Sequence, residues 1–156
     1  MRLALYEPDI AQNTGSLIRL GACLGVPIDI IEPCGFVFAD RHMRRAGMDY
    51  LEKADFTRHT SWVAFCTARQ AAGARTGRIV LLTAKARTSY TNFTFAEDDT
   101  LLLGRESAGV PQDVHDTADA RLTIPMVETM RSINVAQAAA MVLGEALRQT
   151  KGFVQI

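Results

Sequence analysis

Short apolar runs alternate along this chain with longer segments in which apolar residues recur every three or four positions. The runs RLALY (2–6), IDII (28–31), RIVLLT (78–83), TLLLG (100–104) and ARLTI (120–124) have the length and bounds of buried strands. Between the first two, NTGSLIRLGACLG puts Leu17, Leu20, Gly21 and Leu24 on one helical stripe, with Asn13 or Thr14 available as N-cap. SWVAFCTARQAAG predicts a second helix, running from a Ser61 cap to a Gly73 stop. Pro111 opens a short third, PQDVHDTA, in the first-turn position that proline tolerates. The last helix, over about 133–149, is rich in small residues: Ala136, Ala138, Ala139, Ala140 and Gly144. Alternation of strand and helix predicts an α/β fold, a mainly parallel sheet flanked by helices. No repeat, linker or low-complexity segment interrupts it, so residues 1–156 are expected to form a single domain.

Ligands of such sheets gather beyond the carboxyl ends of the strands. The loops there are 84–92, 105–110 and 125–132. The second belongs to LLLGRESAGVP (101–111), whose spacing Gly104-x4-Gly109 starts like a phosphate-binding loop. Val110 and Pro111 stand where that loop needs its lysine and its Ser or Thr, and no G-x-G-x-x-G occurs. The stretch therefore suits either a tight turn using glycine for positive φ or a ligand that approaches backbone closely and carries no triphosphate. In the third loop, Ser132 and Asn134 stand where the last helix begins. Ser132 is either an ordinary N-cap or a hydroxyl for a ligand.

Composition narrows the chemistry. Seventeen Lys and Arg balance seventeen Asp and Glu, so no global basic field marks a nucleic-acid partner, and any such site has to be local. Its densest basic stretch is DRHMRRAGMDY, with Arg41, His42, Arg44 and Arg45. It reads as a solvated helix face or as a patch for a phosphate backbone, with Tyr50 nearby to stack on a base. Arg19 lies off the apolar stripe of its helix, either solvated or aimed at a phosphate or carboxylate. The three cysteines lack C-x-x-C spacing, which fits free thiols in a reducing cytoplasm. The three histidines are scattered, so no metal site is expected. No apolar run reaches membrane-spanning length, and MRLALYEPD lacks the apolar stretch of a signal peptide.

Three motifs occur together and in order: N-T-G-x-x-x-R at Asn13–Arg19, L-x-x-G-x-E-x-x-G-x-P at Leu101–Pro111, and I-P-M…R-S-x-N at Ile124–Asn134. With LYEP, IIEP and RRAGMDY, they give the chain, over essentially its whole length, a resemblance to the SPOUT methyltransferases. Within that superfamily it is most similar to the small tRNA 2′-O-methyltransferases that act on the wobble nucleotide, position 34, a cytidine or modified uridine. The resemblance implies a C-terminal trefoil knot, against the usual rule that chains do not thread. It implies S-adenosylmethionine as cofactor, S-adenosylhomocysteine as product, and no metal. It places the cofactor at Leu82, Gly104, Glu106, Gly109, Ile124, Ser132 and Asn134, largely through backbone groups.

Arg19, with Asn13 and Ser132, is the catalytic set that the resemblance implies. Arginine stays protonated in proteins, so Arg19 is expected to fix a phosphate and polarise the 2′-hydroxyl rather than act as a base. The partners implied are the anticodon loop of tRNA, held by Arg41, Arg44, Arg45 and Tyr50, and a second copy of the chain in a homodimer. No DNA or membrane partner is implied, and the location is cytoplasmic. Two other readings are another tRNA or ribosomal RNA position as target, and a knotted RNA-binding protein without catalysis.

Overall fold

The apolar runs become the middle of one sheet. The computed structural model describes residues 1–38, 50–73 and 76–155. In chain order the elements are β1 (Arg2–Tyr6), α1 (Ala11–Leu24), β2 (Ile28–Ile31), β3 (Phe56–His59), α2 (Trp62–Ala72), β4 (Ile79–Leu82) and β5 (Thr88–Ser89). A 3-10 turn at Tyr90–Asn92 is followed by β6 (Thr100–Leu103), α3 (Gln112–Thr117), β7 (Ala120–Thr123) and α4 (Val135–Thr150). The sheet has seven strands in the order β3-β2-β1-β6-β4-β7-β5, and every pairing among the described residues is parallel.

Successive side chains on a strand point to opposite faces, and here both faces are covered. Leu3 and Leu5 of β1, Ile28 and Ile30 of β2, and Leu101 and Leu103 of β6 pack with Leu17 and Ile18 of α1 and with Val142, Leu143 and Ala146 of α4. On the other face Ala4, Tyr6, Ile31, Leu81 and Leu102 pack with Phe65 of α2 and Val114 of α3. This double burial is why the central strands read as near-continuous apolar runs, the exception in β2 being Asp29, which is buried against Arg2 and His59.

The helix ends correct several sequence expectations. Helix α1 starts at Ala11, with Ile10 at the cap position and no side-chain cap, so Asn13 and Thr14 lie inside its first turn. Asn134 caps α4, its Oδ1 accepting from the Ala136 and Gln137 N–H groups at 2.9 and 3.4 Å; Ser132 does not. Pro111 (φ −66°) is the cap residue of α3 rather than its first helical residue. Helix α2 has the expected ends, with Ser61 Oγ accepting from the Ala64 N–H at 3.1 Å and Gly73 following at φ 63°.

The strand order sets where the site lies. After β4 the chain runs to the sheet edge at β5 and returns to β6 on the far side of β4, while β7 inserts between β4 and β5. Strands β6, β4 and β7 are therefore neighbours, and their outgoing loops emerge side by side. From β7 the chain comes back so that α4 packs on α1 and β6. Gln149 of α4 holds the returning β4–β6 connection, accepting from the Phe95 N–H and donating to the Phe93 carbonyl, both at 3.0 Å.

Candidate cofactor cavity and active site

A cavity of about 450 Å³ opens at the carboxyl ends of β6, β4 and β7, within the range of small-molecule and cofactor pockets. Leu82, Leu103, Ile124, Ile133 and Ala138 give it apolar walls, and Asn13, Thr83, Glu106, Ser132 and Asn134 give it polar groups. Every residue expected to meet the cofactor lines it: Leu82, Gly104, Glu106, Gly109, Ile124, Ser132 and Asn134. The fold thus brings together residues drawn from the early helix and from the late loops.

The glycine loop owes its shape to itself. Arg105 N–H donates to the Gly109 carbonyl at 2.9 Å, and Gly109 N–H donates back to the Arg105 carbonyl at 2.8 Å. Gly109 sits at φ 69°, the left-handed region that glycine enters without steric cost. A Cβ on Gly104 would lie 2.6 Å from the Gly109 carbonyl carbon and 2.8 Å from its Cα. The stretch is therefore a tight glycine turn, and it lines a ligand-sized cavity.

Polar contacts of long sequence separation fix the rim. Glu106 accepts from Asn13 Nδ2 at 3.0 Å and from the Asp9 N–H at 2.8 Å. Asn134 Nδ2 donates to Asn13 Oδ1 at 2.9 Å. Asn134 thereby caps α4 and ties it to α1 with one side chain.

A second set, centred on Asp9 and Arg105, lay beyond sequence reasoning. Asp9 Oδ1 accepts from Arg105 Nε at 3.1 Å and Nη2 at 2.8 Å, while its Oδ2 takes the Ser107 N–H at 3.1 Å and the Ser107 hydroxyl. Arg105 Nη1 reaches Glu7 Oε2 at 3.2 Å. The Ser107 hydroxyl and then the Arg105 guanidinium hold the Asp9 carboxyl below its ordinary pKa of 3.8. The only sequence signal was an acid–acid pair, Glu7 and Asp9, far in the chain from a lone loop arginine.

Arg19 stands apart from the cavity of its own chain. It is exposed on α1, about 9 Å along the helix axis from the cavity-lining Asn13. Its guanidinium carbon lies 4.9 Å from the ring centre of Tyr50, a cation–π distance. Arg41, Arg44 and Arg45, the expected RNA patch, lie outside the described residues. Among the described residues no group of His, Cys, Asp and Glu side chains could hold a metal ion, and no helix is long and apolar enough to cross a membrane.

Residues 1–144 match the SpoU rRNA Methylase family. A tRNA (cytidine(34)-2′-O)-methyltransferase of Beijerinckia indica is 59% identical over 155 residues, which is 99% of this chain and 94% of that one. The Escherichia coli K12 protein of the same name is 38% identical over 151 residues, covering 96% of this chain and 93% of its own. A solved structure concerned with 2′-OH methylation of C/U34 on tRNA superposes with a TM-score of 0.87 at 38% identity, covering 97% and 96% of the two chains. The SpoU methyltransferase AviRb of Streptomyces viridochromogenes, in complex with AdoMet, gives a TM-score of 0.81 at 27% identity over 96% of this chain and 60% of its own.

Proposed function

The chain belongs to the SpoU methylase family, and we propose that within it the protein methylates the ribose 2′-hydroxyl of nucleotide 34 of tRNA, a cytidine or modified uridine, from S-adenosylmethionine. Full-length identity of 59% to a relative named for that reaction is the observation that carries the reading. Family membership also brings the trefoil knot, at the place where the chain after β7 returns to lay α4 on α1.

The cavity fits the cofactor by its chemistry. S-adenosylmethionine bears no phosphate, and the glycine loop lacks the lysine and hydroxyl that a phosphate would need. Leu82 and Ile124 offer apolar surface to an adenine ring, while Ser132 and the Asn13–Glu106–Asn134 chain offer hydrogen bonds to polar groups. Gly104 and Gly109 let the loop backbone line the cavity without side chains intervening. Bound there, the cofactor supplies an electrophilic sulfonium methyl, so the residues have to align a 2′-oxygen with it and manage one proton. Arg19 stays charged, holds a substrate phosphate and polarises the hydroxyl. The departing product is S-adenosylhomocysteine, and no metal takes part.

Arg19 is absent from the cavity lining of its own chain. A homodimer resolves this, since a second copy can carry its Arg19 to the site. Exposed Val127, Met130 and Met141, on the loop into α4 and on α4 itself, supply apolar surface for such a contact. Arg41, Arg44, Arg45 and Tyr50 are assigned to the anticodon loop, and the protein to the cytoplasm, where tRNA is processed, with neither DNA nor membrane as partner.

The test is incubation of purified protein with S-adenosylmethionine and total tRNA, then mapping of the methylated ribose. Methylation at position 34 is expected, undiminished by chelator. Methylation elsewhere in tRNA, or of ribosomal RNA alone, overturns the assignment, and light scattering at monomer mass with full activity overturns the dimer.

A further inference from the structure

A second groove, of about 460 Å³, lies against β7 and β5, and Lys85 lines both it and the cofactor cavity. The turn after β4, closed by Ala86 N–H on the Thr83 carbonyl at 3.2 Å, puts exposed Lys85 near its tip. Arg87, also exposed, follows at the entry to β5. Arg121 adds a third cation to the lining, which His115 and one carboxylate, Asp119, complete.

The cations of the described residues differ in how they are engaged. Arg78 is paired with Asp99, Arg105 with Asp9, Arg58 with Glu32 and Arg148 with Glu145. Arg121 is turned inward, its Nε donating to the His115 carbonyl at 2.9 Å. The Asp119 carboxylate is partly occupied by the Ile79 N–H at 2.7 Å. Among the described residues, no hydrogen bond or ion pair engages the Lys85 ammonium or the Arg87 guanidinium. Free cations beside a cavity, in a chain of zero net charge, are a local field for an anion. The groove's aromatic, Phe93, is already engaged by the Phe95 ring and by Arg78, whose guanidinium carbon is 4.7 Å from the ring centre. A wall without a free stacking ring favours phosphate over a base.

We propose that this groove carries the phosphate backbone of the RNA substrate where it leaves the active site, with Lys85 and Arg87 on successive phosphates. The inference rests on the methyltransferase reading and adds to it two further phosphate contacts, Lys85 and Arg87. The continuity through Lys85 makes a nucleotide bound at the cofactor cavity and its neighbour in the groove parts of one strand.

Because Lys85 also lines the cofactor cavity, Arg87 is the residue to change. Binding of tRNA to Arg87→Ala and Arg87→Glu is measured by fluorescence anisotropy over a range of salt, and S-adenosylmethionine binding by calorimetry. Arg58→Glu, a reversal on β3 at the opposite edge of the sheet, is the control. Arg87→Glu is expected to weaken tRNA binding roughly tenfold. Arg87→Ala is expected to lower the salt slope by about 0.7, the share of one phosphate that is no longer neutralised. Cofactor affinity is expected to stay as in the wild type. An unchanged tRNA affinity and salt slope in both variants, as expected if the groove serves a protein partner, overturns the proposal. So does an equal loss in Arg58→Glu, which would make the effect one of net charge. Wild-type protein that binds tRNA but methylates no position 34 instead overturns the functional reading, and the Arg87 comparison still decides the groove.

Discussion

Glu106 and Asn13, 93 positions apart, share a 3.0 Å hydrogen bond, and the same carboxylate takes the Asp9 N–H at 2.8 Å. One side chain thus clamps the start of α1 to the glycine loop at the rim of the cavity. Glu106→Ala removes both acceptors. A part-buried donor left without a partner costs about 1–3 kcal/mol, so a lowered melting temperature and weaker S-adenosylmethionine binding are expected. Glu106→Gln keeps one acceptor oxygen and should fall between the two. Calorimetry on all three proteins checks the order.

The two loop glycines should respond differently to a methyl group. Gly104→Ala drives its Cβ into Gly109 backbone at 2.6 Å, which forces the loop to move. Gly109→Ala meets nothing within 4 Å and bears only the strain of its left-handed φ of 69°, about 1–2 kcal/mol. Gly104→Ala is therefore expected to lose cofactor affinity by far the more. Equal affinities in two folded variants would contradict the loop geometry.

Asp9 makes loop stability depend on acid. Its pKa is held below 3.8 by the Ser107 hydroxyl and the Arg105 guanidinium, so its contribution is present in full above that ordinary value. The contribution is lost as pH falls through the depressed folded value. Asp9→Asn should lower the melting temperature at neutral pH and flatten its decline in acid. A parallel decline in both proteins would remove Asp9 from the linkage.

Arg19 separates catalysis from cofactor binding on the proposed reading. It lies outside the cavity lining, so Arg19→Ala should leave folding and S-adenosylmethionine affinity nearly intact. Methyl transfer at saturating cofactor should fall by orders of magnitude, since one preorganised charged donor is worth roughly 3 kcal/mol in a transition state. Arg19→Lys should not restore the rate, because an ammonium lacks the guanidinium fork. Tyr50→Ala removes the ring 4.9 Å from the guanidinium and should lower the rate less than loss of Arg19 itself. Single-turnover methylation of tRNA gives the ranking.

The sequence by itself determined the layered α/β class and the central strands, because strands buried on both faces leave near-continuous apolar runs such as TLLL and IVLL. Its residue pattern singled out the glycine loop and the Ser132–Asn134 helix start, while Leu82 and Ile124 entered only through the resemblance that the three ordered motifs carry. Edge strands left little trace. Strand β3, FTRH, is only partly buried, and β5 has two residues, so neither carries a hydrophobic pattern. Only the tertiary structure decided that Asn134 rather than Ser132 caps α4, because Asn134 is held by Asn13 from across the chain. Only it joined Asp9 to Arg105 and set Arg19 beside Tyr50. Each is a contact between residues distant in sequence, and periodicity along a chain holds no record of which distant residues the strand order will bring together.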